Sequence, residues 1–375
     1  MNNTKKIKYV HIMSHESKIF NKQVIDMINS NKHLFEPEEH IFIIQNEEVY
    51  NQIEKSENVI WEYDISSNIK KIKRYANICD YIFLHSNTLS TFTLLFLNNK
   101  ILNKIIWCVW GHDLYQKSEK PHTLYRKVRR LIGNTIRFIP KHLRNMKIKQ
   151  FYAAGIGFQY DVIEIKRIYG DNMNVVMTPY GYKENNKEKM DEIISNMKKK
   201  DYCKVMVGHS AYKFLNHIIL LEDLAKYKSE KIFISLVLAY GDKEYAETVK
   251  NKAIEIFGKE KVEIIDTMMN YEQYVKYLST VDVCLLDYKH QAALSNIYML
   301  LYMKKKIFLN KEGIIKLFTI LENIETYNID DIHNMNFEEF SKEIDNYQNG
   351  KQFAEFHINE ENYKNLWYNT LKSLK

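Results

Sequence analysis

The residues best suited to chemistry stand directly behind short apolar runs. In the first half these are Ser14-His15-Glu16, then His85-Ser86-Asn87-Thr88, then Trp110-Gly111-His112-Asp113-Leu114-Tyr115. The second half offers Gly208-His209-Ser210, Tyr240-Gly241-Asp242 and Tyr288-Lys289-His290-Gln291. A carboxylate or imidazole at such a place can take the proton of an attacking hydroxyl, which makes Asp113, His15 and His85 the candidate bases. Asp113 is equally suited to capping a helix that starts behind it, a common use of Asp. Gly208-His209-Ser210 suits another task. Glycine lets a ligand approach the backbone, and the N-terminus of a following helix aims unpaired amides at an anion, so a phosphate is held there without lysine.

Groups so placed need a scaffold that presents the ends of its strands. Tyr9–Met13, Ile41–Gln45, Tyr81–His85, Ile105–Val109 and Phe151–Ala154 read as strands buried on both faces. Helix-like stretches such as Lys18–Asn29 and Phe158–Tyr169 separate them. After Val175–Met177 comes a polar stretch, and the rhythm restarts with Lys204–Val207, Ile232–Leu238, Val262–Ile265, Val283–Leu286 and Ile307–Leu309. The pattern predicts an α/β chain of two Rossmann-like, doubly wound domains, residues 1–183 and 184–375, the second ending in closing helices. Ligands of such sheets bind beyond the carboxyl ends of the strands, where the chemical residues lie. The dinucleotide fingerprint is absent, since Gly155-Ile156-Gly157 is followed by Tyr160 where the third glycine belongs.

Composition narrows the classes further. A chain of 375 residues exceeds one ordinary core, and 45% hydrophobic with 27% charged residues is ordinary for a folded protein. Cys79, Cys108, Cys203 and Cys284 are scattered, with neither metal-ligand nor disulfide spacing, so no metal is expected and a reducing cytoplasm fits. The most apolar stretch, Thr91 to Trp110, is broken by Asn98, Asn99, Lys100, Asn103 and Lys104, so the chain is expected in solution or on a surface.

Charge is uneven. Residues 117–149 carry eleven cations against one anion, Glu119, a net +10 within a chain of +7. Leu131, Ile132, Ile136 and Phe138 interleave with Arg126, Lys127, Arg129, Arg130 and Arg137. Such a segment suits an anionic membrane surface, where each cation contributes about 1 kcal/mol. Nucleic acid and a merely solvated helical face are the competing readings.

IIWCVWGHDLYQ, MVGHSAYKFLNH, LAYGDKEYAETV and the stretch from Asp287 to Asn310 resemble the TDP-N-acetylfucosamine:lipid II N-acetylfucosaminyltransferase family, the 4-alpha-L-fucosyltransferase-like enzymes of bacterial surface polysaccharide synthesis. The resemblance implies a GT-B fold, with the two domains facing across a cleft. It implies glycosyl transfer from a TDP- or UDP-sugar to a glycan on polyprenyl diphosphate, at the cytoplasmic face of the plasma membrane. The nucleotide sugar is then a co-substrate, no cofactor or metal is needed, and nucleic acid is not a partner. Donor contacts fall on Gly208, His209, Ser210, Asn216, His217, Tyr240, Gly241, Gln291, Ser295 and Asn296. The acceptor side takes Glu16, Trp110, Gly111, His112 and Tyr115 beside the three candidate bases. A nucleotide-sugar epimerase of the same architecture and a non-enzymatic nucleic-acid binder are the alternatives.

Overall fold

The computed structural model describes residues 6–15, 18–86, 89–115, 141–180, 187–197 and 200–374, the side chains of Lys18 and His112 excepted. The chain divides into two compact units, residues 1–182 with 363–375, and residues 183–362.

Among the described residues the first unit has seven strands: β1 (Tyr9–Ile12), β2 (His40–Ile44), β3 (Val59–Trp61), β4 (Tyr81–His85), β5 (Ile105–Cys108), β6 (Ala153–Ile156) and β7 (Val175–Met177). They form one sheet in the order β3-β2-β1-β4-β5-β6-β7. Every pairing is parallel. The second unit holds β8 (Cys203–Val207), β9 (Ile232–Val237), β10 (Val262–Ile265), β11 (Val283–Leu286), β12 (Lys306–Leu309) and β13 (Tyr327–Asn328). Their order is β10-β9-β8-β11-β12-β13, again parallel throughout. Strand order reverses between β1 and β4 in one unit and between β8 and β11 in the other, the two crevices where such sheets take ligands.

The runs became strands because both sheet faces are covered. Val10, Ile12, Leu84 and Trp107 pack into one core cluster, and Phe42, Phe83, Ile106 and Cys108 into another on the opposite face. Period-two alternation within a single strand thus feeds two cores at once. All four cysteines are buried and unpaired, as small core residues. Gly155, just beyond the apolar run Phe151–Ala154, lies inside β6, where a Cβ would come within 2.4 Å of Thr178 Oγ1; the close approach of the β7 end demands glycine.

The closing helices do not all stay with the second unit, contrary to the sequence expectation. Helix Glu360–Ser373 returns to the first sheet from Tyr363 onward. Trp367 is fully buried there and donates its indole N–H to Pro179 O at 2.7 Å; Thr370 Oγ1 donates to Met177 O at 2.6 Å. Tyr363, Trp367 and Leu371 of this helix share the core cluster of Phe42, Phe83 and Ile106.

Candidate functional site

Gly208 directly follows β8 at the switch point of the second sheet, its amide donating to Leu285 O at 3.0 Å. Its φ of +70° lies in the region that favours glycine, and a Cβ would stand 2.2 Å from His217 Nε2. Backbone direction and space both require the missing side chain. His217 opens the helix His217–Leu224, and Asn216 before it adopts a left-handed conformation. The Asn216 side chain donates to Asp287 Oδ2 at 2.8 Å, and Asn310 donates to Asp287 Oδ1 at 2.6 Å. One carboxylate therefore ties together the segments that follow β8, β11 and β12. On the other flank, Ala211 N donates to Tyr240 O and Asp242 N to Ala211 O, at 2.7 and 2.9 Å. Gly241 makes that union possible, since a Cβ would lie 2.7 Å from Ala211 C.

Inside this frame stand polar atoms with unused capacity. His209 Nδ1 and both ring nitrogens of His217 are buried and find no hydrogen-bond partner among the described residues. Burial pushes the His209 imidazole down to about 3, helped by the neighbouring His217 and His290, and burial alone takes His217 to about 4. Both rings are neutral at physiological pH, each with one N–H to donate. A buried polar group without a partner costs roughly 1–3 kcal/mol, which a ligand bearing acceptor oxygens would recover. Ser210 is fully buried beside the Tyr240 hydroxyl, and Tyr288 meets the His209 ring edge-on at 5.7 Å. Tyr288 Oη donates to Ala292 O at 2.8 Å, closing the loop that carries Gln291. The helix behind it, Leu294–Tyr302, starts from a left-handed Ala293, and no side chain caps its first turn. Ser295 is exposed in that turn; Asn296 hydrogen-bonds Tyr274.

The first unit's rim differs from expectation in the roles of its residues. Asp113 Oδ1 accepts from the Trp110 amide at 2.8 Å, and Oδ2 from the Trp107 indole N–H at 2.7 Å. Oδ1 thus caps the strand-to-helix turn at Trp110, and Oδ2 ties that turn back to β5. His85 is fully buried, with one ring nitrogen 3.0 Å from His11 Nδ1 and the other 2.7 Å from Tyr180 Oη, so it presents no free nitrogen to a substrate. His15 is exposed just beyond β1. Glu16 lies outside the described residues, as do Arg126, Lys127, Arg129, Arg130 and Arg137. Of the basic run's described part, Arg144 and Lys147 donate to Leu89 O and Leu97 O, at 2.6 and 3.1 Å, and so hold structure.

Tyr115 donates from its hydroxyl to Asp161 Oδ1 at 2.7 Å. Burial lifts the Asp161 carboxyl to about 7, against the lowering effect of the Tyr115 bond, with Asp113 and Glu164 raising it further. The folded state holds a proton that the unfolded carboxyl releases near pH 4, so stability falls as pH rises from about 4 to about 7. Asp161→Asn keeps an acceptor for Tyr115 and removes that loss. The variant is expected to gain on the order of 4 kcal/mol over wild type between pH 4 and pH 8, read as a melting temperature with a flatter pH dependence. Parallel profiles for the two proteins would contradict the buried protonated carboxyl.

Asp287, Asn310, Asp161 and Tyr180 were missed as individuals by sequence reasoning. Asp287 and Asn310 follow β11 and β12 directly, so the rule that singled out Gly208 would have found them. Tyr180 and Asp161 acquire their partners only through pairing across the sheet.

The family model described as 4-alpha-L-fucosyltransferase, glycosyl transferase group 56, matches residues 189–375. A glycosyltransferase from Rickettsia africae ESF-5 is similar in structure, with a TM-score of 0.63 at 15% identity over 99% of this chain and 98% of that one. Anabaena HepE, solved in complex with UDP and glucose, gives 0.62 at 11% identity over 98% and 100%. Sucrose-phosphate synthase from Thermosynechococcus elongatus gives 0.63 at 9% identity over 98% and 99%. The chain belongs to the 4-alpha-L-fucosyltransferase family, group 56, and is a glycosyltransferase of GT-B fold.

Proposed function

We propose that the enzyme transfers a sugar from a TDP- or UDP-sugar to a glycan carried on polyprenyl diphosphate, in bacterial surface polysaccharide synthesis at the cytoplasmic face of the plasma membrane. The observation that carries the donor assignment is the cradle at Gly208, where neutral His209 and His217 hold unused ring nitrogens within a turn that only glycine can make. The diphosphate accepts from these imidazoles and from the uncapped first turn of Leu294–Tyr302, beside Ser295. Tyr240, half-exposed with Gly241 at the end of β9, lies where a base or ribose would stack. Such donors stabilise the charge that develops on the leaving diphosphate, without calling on a cofactor or a divalent cation.

The acceptor reaches the first unit's rim near Trp110, Gly111 and His15. No helix of the described residues is long and apolar enough to cross a membrane. The cationic, apolar segment 117–149 supplies affinity for an anionic membrane surface.

A direct assay combines the purified enzyme, each of several TDP-, UDP- and GDP-sugars, and a polyprenyl-diphosphate glycan. The expected result is one nucleoside diphosphate released for each sugar appended to the lipid-linked glycan, undiminished by a chelator. Conversion of the nucleotide sugar without acceptor would point instead to an epimerase. Absence of product with every donor would overturn the assignment.

A further inference from the structure

The first unit contains a file of hydrogen-bonded side chains for which donor and acceptor binding provide no use. His40 opens β2, His11 stands third in β1 and His85 closes β4. Register sets His11 beside Phe42 on one neighbour and Phe83 on the other. His40 therefore lies two residues before a lateral partner of His11, and His85 two residues beyond the other. Even offsets put all three rings on one sheet face along a diagonal, within mutual reach. His11 Nε2 is 2.9 Å from His40 Nδ1, His11 Nδ1 is 3.0 Å from His85 Nε2, and His85 Nδ1 is 2.7 Å from Tyr180 Oη. The three imidazoles are at most 1% exposed. Phe42 and Phe83 stack on His11 at 4.6 and 4.8 Å, and Trp367 on His85 at 6.2 Å.

The file has two different ends. Tyr180 stands at the carboxyl ends of the strands, against Trp110 and Phe20 at 5.2 and 5.7 Å. His40 lines a cavity of about 860 Å³ at the amino ends, shared with Lys8, Tyr9, Glu39 and Tyr81. Burial lowers His40 and His85 to about 3, and His11 well below its usual value with its two neighbours adding to the effect. A neutral imidazole donates from one nitrogen and accepts at the other. Fixing one tautomer consequently fixes all three: either every ring carries its proton on Nε2 with Tyr180 donating to His85, or every ring carries it on Nδ1.

We propose that this file conducts a proton from the rim to the amino-end cavity, removing the one that the acceptor hydroxyl releases. The inference rests on the rim being the acceptor side. As the acceptor oxygen bonds to the anomeric carbon, the bond from that carbon to the diphosphate breaks and its electron pair leaves on the diphosphate oxygen. The acceptor O–H proton passes to Tyr180 Oη, and the Tyr180 proton moves to His85 Nδ1. His85 Nε2 passes its proton to His11 Nδ1, His11 Nε2 passes its proton to His40 Nδ1, and the His40 Nε2 proton goes to solvent water. One proton enters, one leaves, and no side chain gains net charge. The reverse hops, taking a proton from water at His40 Nε2 and releasing one from Tyr180 Oη to water once the product has left, restore the starting tautomers. Tyr180 is the catalytic residue of this scheme, and the three histidines are positioning and relay residues.

Two measurements on the full chain test it. Long-range proton–nitrogen NMR of the histidine rings is expected to find His11, His40 and His85 neutral and in one common tautomer sense. His11→Gln retains a donor and an acceptor but blocks proton passage. It is expected to lower kcat about a hundredfold with the donor KM unchanged, and to turn a curved proton inventory in mixed H2O and D2O into a linear one. His40→Asn, at the cavity end, should do the same if His11→Gln does not fold. Opposed tautomers, or a wild-type proton inventory in a folded variant, would overturn the relay while leaving glycosyl transfer intact. Failure of the wild-type enzyme to transfer sugar would overturn the functional reading and the relay's role in it together, whatever the tautomers.

Discussion

Gly208→Ala is expected to abolish measurable turnover, a loss of at least about a hundredfold, in a protein that still folds. An alanine at φ +70° carries the left-handed penalty of roughly 1–2 kcal/mol. Its Cβ would also sit 2.2 Å from His217 Nε2, a separation no packed atoms tolerate. His217 is buried on every side and opens its helix, so either the ring leaves its place or the turn does. Both displace the ring nitrogens and amides on which donor binding depends. Stability should fall by about 2–3 kcal/mol, strain and overpacking together. The double variant Gly208→Ala with His217→Ala separates these contributions. Relief of the clash should bring back part of the melting temperature, so the two changes are non-additive, while activity stays absent. Full activity in Gly208→Ala would mean that the turn is a connection and nothing more.

Asp113→Ala should cost about 3 kcal/mol, lowering the melting temperature by roughly 6–12 °C. The change strips the cap from the Trp110 amide and leaves the fully buried Trp107 with an unsatisfied indole N–H. Asp113→Asn keeps one acceptor oxygen, so about half that loss is expected, with activity declining in step with stability. A catalytic base behaves otherwise: Asp113→Asn would then lose three or more orders of magnitude in kcat at an unchanged melting temperature. The pair of variants, read by both measurements, decides between a residue that shapes the rim and one that takes the proton.

Much of the fold was legible because doubly buried strands write themselves as apolar runs. Tyr81–His85, Val175–Met177, Val262–Ile265 and Val283–Leu286 stand where the runs place them. Val59–Trp61 and Tyr327–Asn328 were not, being edge strands of three and two residues with no run to read. The fate of the last helix was hidden for another reason. Its apolar positions specify burial without specifying which sheet they cover, and Trp367 finds its place only once β7 has delivered Pro179.

The site divides in the same way. Gly208 and Ser210 could be found from the sequence, since a glycine and a small polar residue between strand and helix carry a local physical meaning. His85 was visible at the end of its run, but the partners that take both its ring nitrogens were not. Only the register reveals that His11 lies beside it with His40 beyond, and in the sequence those two are indistinguishable from ordinary core histidines. Asp113 illustrates the reverse: the capping interpretation needed only its position, and the structure supplies the indole that strengthens it.

Calorimetric titration of TDP- and UDP-sugars into the wild-type enzyme and into Gly208→Ala tests the central claim most directly. The account predicts saturable binding of one nucleotide sugar per wild-type chain, lost from the alanine variant. Equal heats in both proteins, or none in either, would contradict a donor held at the end of β8.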